Sequence, residues 1–276
     1  MTRFDDVRDY YDGFAEWERL DSPPGQLEFE RTMALLDKHI LPESRVLDLG
    51  GGPGRYTIAL AQKGHRLSLA DLSPALLETA RIKIAESGVG ARIASVDEAN
   101  ATDLGIYPDS EFDAVLVLGP FYHLTKADER RQASAEIWRV LKDNGLLFAA
   151  FIPRLTGLAG LLERVAADPE QVPVESLKDA AATGVFRNPT GHGFQEGYYP
   201  EREEMQALMA AAGFSCIDVV SLRGIAFGNE EALRRLCERS PDIYAEAMRV
   251  LEETARHAAV VALGGHALYI GRKHVP

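Results

Sequence analysis

The run Val46-Leu47-Asp48-Leu49-Gly50-Gly51-Gly52-Pro53-Gly54-Arg55 holds the residue types with the clearest chemical purpose in this chain. Apolar residues around one acid, followed by a burst of glycine, predict a buried strand that ends in a turn too tight for side chains. Such a turn ahead of a helix lets a ligand lie directly on the backbone, where helix N-terminal amides donate hydrogen bonds. A second apolar run, Leu67-Ser68-Leu69-Ala70, ends in Asp71. An acid at that spacing stands at the tip of the neighbouring parallel strand and can accept from both hydroxyls of a ribose. The pair predicts a nucleoside-bearing cofactor.

Glycine spacing decides which one. A dinucleotide fingerprint places glycines at its first, third and sixth positions; counting from Gly50, the third is Gly52 but the sixth is Arg55. A bulky arginine does not suit the close helix–sheet packing that the sixth glycine allows. Gly50, Gly52 and Gly54 alternate instead, two residues behind Asp48. This pattern resembles motif I of the class I S-adenosylmethionine (SAM)-dependent methyltransferases, whose cofactor carries a carboxylate and an amine where NAD carries phosphates.

These loops need a scaffold. Residues 5–40 read as helical, divided by Pro23-Pro24-Gly25 and ended by Pro42. From Arg45 onward strands alternate with helices: strands near 45–49, 67–71, 91–96, 112–118 and 146–152, with Ser73-Pro74 and Thr125 to Asp128 opening helices between them. The near-continuous apolar run at 112–118 is that of a central parallel strand. Residues 153–199 break the pattern; a helix from Pro200, a strand at 214–222, a helical tract at 229–257 and a strand at 266–272 follow. The expected fold is α/β, a doubly wound and mostly parallel seven-stranded sheet of the Rossmann-like kind. Its expected parts are a helical lid (1–42), a cofactor-binding core (43–152), an inserted acceptor-site cap (153–199) and a C-terminal completion of the sheet (200–276).

Ligands of open parallel sheets bind beyond the carboxyl ends of the strands. Polar residues cluster there: the glycine loop, Asp71-Leu72-Ser73, the tract from Asp97 to Leu104, and Gly119-Pro120-Phe121-Tyr122-His123-Leu124. The resemblance covers 45–152 and implies roles at these loops. Asp48, Gly50, Gly51 and Gly52 would approach the methionyl part of SAM, Asp71 would hold the ribose, and Leu72 would flank the adenine. Asn100-Ala101 stands where the family has an acid and a small residue facing the adenine amine, with Asp97 as a rival for that place. Leu118 and Gly119 begin the segment that family members set near the sulfonium. Tyr10-Tyr11-Asp12 and Glu16-Trp17-Glu18-Arg19 are similar to lid helices folded over the cofactor; Tyr11 and Arg19 would contact it, Arg19 through the SAM carboxylate. The alternative for Arg19 is a pairing with Glu16 or Asp12.

A sulfonium is an activated methyl donor, so transfer depends on alignment and exclusion of water, plus a base where the acceptor arrives protonated. His123 is the candidate base by position and intrinsic acidity, or else a structural residue capping the next helix. Tyr122 is the candidate to shape the acceptor pocket. His192, Tyr198 and Tyr199 fall in the expected cap, where they line the acceptor site or serve local packing. His266 reads as a core residue of the last strand. The remaining histidines, His39, His65, His257 and His274, show no metal-ligand spacing, and no metal is expected.

Composition narrows the partners. With 276 residues, 46% of them apolar, the chain can bury a full core. A net charge of −12 disfavours nucleic acid, which needs a basic face. Cys216 and Cys237 are too few for a disulfide framework, the first residues lack a signal peptide's apolar core, and 145–152 is too short to span a bilayer. The expectation is a cytoplasmic SAM-dependent methyltransferase acting on oxygen or nitrogen of a small molecule, releasing S-adenosylhomocysteine, with no membrane or nucleic-acid partner, as monomer or homodimer. The alternatives are an NAD(P)-dependent oxidoreductase, a non-catalytic SAM-binding protein and a protein methyltransferase.

Overall fold

A computed structural model describes residues 3–12, 16–167, 169–170, 172–187 and 196–274. In chain order its elements are α1 (Arg3–Asp12), α2 (Pro23–His39), β1 (Arg45–Leu49), α3 (Arg55–Gln62), β2 (Arg66–Asp71), α4 (Pro74–Ser87), β3 (Ile93–Glu98), β4 (Phe112–Val117), α5 (Ala127–Val140) and β5 (Leu141–Phe151). There follow α6 (Arg154–Ala167), α7 (Val174–Thr183), β6 (Val185–Arg187), β7 (Glu196–Tyr198), α8 (Arg202–Ala211), β8 (Phe214–Ser221), α9 (Glu230–Arg239), α10 (Pro241–Thr254), α11 (Ala258–Leu263) and β9 (Ala267–Lys273).

Seven strands form one sheet in the order β3-β2-β1-β4-β5-β9-β8. Neighbours are parallel from β3 to β5, whereas β9 runs antiparallel to both β5 and β8. The chain steps outward from β1 to β2 and β3, then returns to place β4 on the other side of β1. Strand order therefore reverses between β1 and β4, the place where an open sheet leaves a crevice at its carboxyl edge. The glycine loop follows β1, and Gly119 follows β4 by one residue beyond Leu118.

The central strands are apolar on both faces because helices cover both. Val46, Ala114, Leu116, Leu268 and Ile270 pack into one core, and Leu47, Leu49, Val115, Val117 and Tyr269 into the other. That is why their sequences read as continuous runs rather than alternations. Serines set two helix starts: Ser22 and Ser73 accept from the Gly25 and Leu76 amides at 3.3 and 3.1 Å, each with proline at the helix's first turn. Pro23 and Pro24 thus open α2, and a short 3₁₀ turn at Glu18–Asp21 separates it from α1.

Some local expectations shift. Thr125 does not open α5, which starts at Ala127 behind Lys126; its hydroxyl meets Glu196 at 3.3 Å instead. The helical tract at 229–257 is two helices parted by Pro241, and α11 adds a third before the last strand. Between β5 and α8, α6, α7 and the β6–β7 hairpin gather around their own small core of Leu161, Ala180, Phe186 and Tyr199. No helix among the described residues is long and apolar enough to cross a membrane.

Candidate active site

One cavity, about 1050 Å³ counting its open mouth, lies at the carboxyl edge over the β1/β4 reversal. Apart from the rival Asp97, it is lined by every residue singled out from the sequence for cofactor contact, and by Tyr122 and His123.

The glycine loop is held from both sides. Gly50, Gly52 and Gly54 have φ of 71°, 54° and 87°, left-handed values that suit glycine. A Cβ on Gly50 would fall 2.5 Å from the ring of Pro120 in the loop after β4, so that ring packs directly on the Gly50 backbone. Asp71, at the tip of β2, accepts from the Gly52 amide at 2.8 Å and from the Ser73 amide at 2.9 Å. Its carboxylate thereby ties the glycine loop to β2 and keeps one lone pair on each oxygen for a ligand. Burial raises its pKa, against those amide bonds. Asp48 lies beneath the loop, 1% exposed, and accepts from the Thr57 hydroxyl at 2.7 Å. Burial pushes its carboxyl up to about 6.

At the neighbouring edge, the Asn100 side-chain oxygen accepts from both the amide and the hydroxyl of Thr102, each at 3.0 Å. That oxygen is filled, so Asn100 has its NH₂ to offer a ligand, a donor for a ring nitrogen rather than an acceptor for an amine. Asp97 accepts from the Tyr107 hydroxyl at 2.8 Å and does not line the cavity.

The opposite wall comes from the N-terminal region. Phe4, Val7, Arg8 and Tyr11 line the cavity at i, i+3, i+4 and i+7, one face of α1. Asp12 at its end is hydrogen-bonded to the Ser73 hydroxyl. Arg19 lines the cavity and also pairs with Glu16 at 2.5 Å and with Glu28 at 3.4 Å. Burial disfavours its charge, but the Glu16 and Glu28 carboxylates overcome this and raise its pKa. Ligand lining and pairing with Glu16 thus coexist, and Asp12 is not its partner. Arg55 packs over the Trp17 ring at 4.9 Å and pairs with Asp21 at 2.9 Å.

His123 does not cap α5. It ends the 3₁₀ turn Pro120–His123, and its Nε2 lies 2.9 Å from the Tyr11 hydroxyl. Tyr122 stacks flat on His266, with centroids 5.9 Å apart and planes within 1°. His266 precedes β9 instead of lying in it, and its Nδ1 is 2.6 Å from Glu28.

In the inserted segment, Tyr198 and Tyr199 follow the local-packing reading. Tyr198 lies under the Arg130 guanidinium at 3.5 Å, and Tyr199 stacks on Phe186 at 6.2 Å; neither lines the cavity. His192 lies outside the described residues. Among the described residues of 153–199 none reaches the cavity, while β7 leans on the back of the turn that carries His123. Sequence reasoning missed Glu28, and of the α1 face it named Tyr11 but not Phe4, Val7 and Arg8, for which the spacing 4, 7, 8, 11 was the signal.

Residues 46–145 match the family model described as a methyltransferase domain. The ubiquinone/menaquinone biosynthesis C-methyltransferase of Vibrio cholerae is 34% identical over 110 residues, 38% of this chain and 40% of that protein. This chain therefore spans well under half of that relative's length. The demethylmenaquinone methyltransferase of Thermus thermophilus is 32% identical over 176 residues, covering 62% of this chain and 74% of that protein. Among solved structures, the 1,6-didemethyltoxoflavin-N1-methyltransferase of Burkholderia thailandensis, bound to 1,6-didemethyltoxoflavin and S-adenosylhomocysteine, matches with a TM-score of 0.60 at 18% identity. That match covers 99% of this chain and 87% of the other.

Proposed function

The chain belongs to the class I SAM-dependent methyltransferases, and from that premise we propose that it moves a methyl group from SAM to an oxygen or nitrogen of a small-molecule acceptor. The observation that carries the reading is the convergence of four strand-end loops, after β1, β2, β3 and β4, on one cavity, with Asp71 fastening the glycine loop. The donors and acceptors present fit the cofactor. Asp71 would hold the ribose hydroxyls, the glycine-loop backbone and Asp48 would border the methionyl part, and Arg19 with Glu16 would face its carboxylate and amine. Asn100 and Leu72 would border the adenine.

Bound there, SAM supplies a methyl on a sulfonium, already activated for in-line displacement. What the protein adds is placement and dryness. The α1 wall closes the cavity over the cofactor, which supports a lid role for the first 42 residues. Phe4, Val7, Tyr11 and Leu124 offer an acceptor mostly apolar surroundings. His123 is the group basic enough to hold the proton that leaves it.

The acidic charge and the two exposed cysteines support a small acceptor met in the cytoplasm, without nucleic acid or membrane. Arg55, packed over Trp17 at the start of α3, speaks against the dinucleotide reading.

Calorimetric titration of SAM into the protein and its Asp71→Ala variant tests the cofactor. Loss of a carboxylate that accepts two buried amides should weaken binding about tenfold or more, since bonds to a charged group contribute roughly 1.5–3 kcal/mol each. Equal affinity in the two proteins would overturn the cofactor reading. A panel of small phenols, carboxylates and amines, read by mass spectrometry for an added methyl, then tests the reaction. Tight SAM binding with no methylated product would leave a SAM-binding protein.

A further inference from the structure

Tyr11 and His123 are 112 positions apart in the chain, yet their polar tips meet at 2.9 Å on the wall of the cavity. Their rings stand edge to face, centroids 5.3 Å apart at 77°. A phenol is the stronger acid of the two and an imidazole nitrogen the stronger acceptor, so Tyr11 donates and Nε2 accepts. This bond selects the neutral tautomer with its proton on Nδ1. It also leaves Nε2 occupied, so a proton leaving a bound acceptor cannot reach it directly. Tyr11 also shares a hydrogen bond with Tyr122, and with two lone pairs its oxygen can still receive that proton.

We propose that Tyr11 and His123 form a two-membered proton relay, in which Tyr11 takes the proton of the methyl acceptor while passing its own to His123 Nε2. The inference rests on the methyl-transfer reading above and on an acceptor that arrives bearing O–H or N–H. The step balances. The acceptor atom forms its bond to the methyl carbon, the S–CH₃ bond breaks with its electron pair left on sulfur, and the acceptor's proton goes to Tyr11 Oη. The proton that Tyr11 held goes to Nε2, so His123 ends as imidazolium. One positive charge is lost at sulfur and one appears on the imidazole, and the net charge of the cavity is conserved. The two transfers are concerted. Burial, the Tyr122 hydroxyl and Glu16 all push the Tyr11 phenol's pKa well up, so a free tyrosinate is not an intermediate. Tyr11 sits on α1, so the relay is complete only while α1 closes the cavity.

The test uses ¹⁵N-histidine-labelled protein with S-adenosylhomocysteine bound, and its Tyr11→Phe variant. The intact protein should show His123 Nε2 as an unprotonated, hydrogen-bonded nitrogen, and its signal should shift in the variant. Affinity for S-adenosylhomocysteine should stay within about twofold. A proton resident on Nε2, unchanged ring signals in the variant, or a tenfold loss of affinity would each overturn the relay, the last by returning Tyr11 to the cofactor. On whichever phenol, carboxylate or amine is methylated, Tyr11→Phe and His123→Ala should each cut turnover about 10²-fold. The double variant should be no slower than His123→Ala alone, since members of one relay fail together. Additive losses overturn the relay and leave His123 as a base on its own. If SAM does not bind, or if no acceptor is methylated, it is the methyl-transfer reading that fails.

Discussion

The Glu28 carboxylate lies 2.6 Å from His266 Nδ1 through one oxygen and 3.4 Å from Arg19 through the other. This joins α2 to the segment before β9 directly behind the cavity wall. Burial alone would raise the Glu28 pKa, but His266 and then Arg19 hold it down at about 2. A folded-state value below the unfolded one contributes stability above the unfolded pKa, lost as pH falls toward the folded pKa. The pairing should therefore hold fully above about pH 5 and fade toward pH 2. Replacing Glu28 by Gln should destabilise the protein at pH 6, and the gap should shrink by about 1.5 kcal/mol at pH 3.5. Urea unfolding at the two pH values reads this. A gap of constant size would mean that the carboxylate charge contributes nothing to the fold.

Asp48 works in the opposite direction. Its buried carboxyl, with a pKa of about 6, binds its proton more tightly folded than unfolded. Stability is then greatest below the unfolded pKa and declines as pH rises to the folded value. Asp48→Asn removes the titration while still accepting from the Thr57 hydroxyl. Relative to the variant, the parent protein should lose about 1 kcal/mol of stability between pH 5 and pH 7. Parallel stability–pH curves for the two proteins would show that Asp48 is ionised without cost in the fold.

What could be read from the sequence was local. Strands β1, β4 and β5 are apolar runs because both of their faces are buried, and the glycine loop with Asp71 is a strand–turn–strand device within a short stretch of chain. The cofactor edge was legible for that reason. The pairs Tyr11–His123 and Glu28–His266 were not, since each joins segments separated by 112 and 238 positions and depends on how α1 and α2 dock. Residues 153–199 left two readings open, because a turn-rich stretch beside a ligand edge gathers tyrosines either to line a site or to pack locally; Tyr198 and Tyr199 take the second, through the Arg130–Tyr198 stack and the segment's own small core. The six-residue α11, Ala-Ala-Val-Val-Ala-Leu, is too short for apolar periodicity to separate helix from strand.

The reversal of strand order explains why so few residues suffice at the site. β1 and β4 diverge in their connections, so the Pro120 ring comes to lie directly against the Gly50 backbone, where a Cβ has no room. Asp71 then needs only two amides to fix the loop, and α1 needs only one face to roof the space.

The same crowding separates two neighbouring glycines. A Cβ on Gly51 would fall 2.3 Å from Leu69 Cδ1 and 2.6 Å from the Asp48 carboxylate, both buried. On Gly52 it would meet nothing closer than 3.6 Å, and the obstacle there is the backbone, at φ 54°. Gly51→Ala should cost about 3 kcal/mol through overpacking, and Gly52→Ala about 1 kcal/mol through left-handed strain. A second substitution, Leu69→Val, distinguishes the two causes, because it removes the Cδ1 that the new methyl strikes. Part of the Gly51→Ala loss should be recovered in that background, whereas the cost of Gly52→Ala should be the same with either residue at 69. Thermal or urea unfolding of the six proteins measures both couplings. Equal coupling to Leu69 at the two glycines would show that backbone strain, not the packing of β2 beneath the loop, demands glycine at 51.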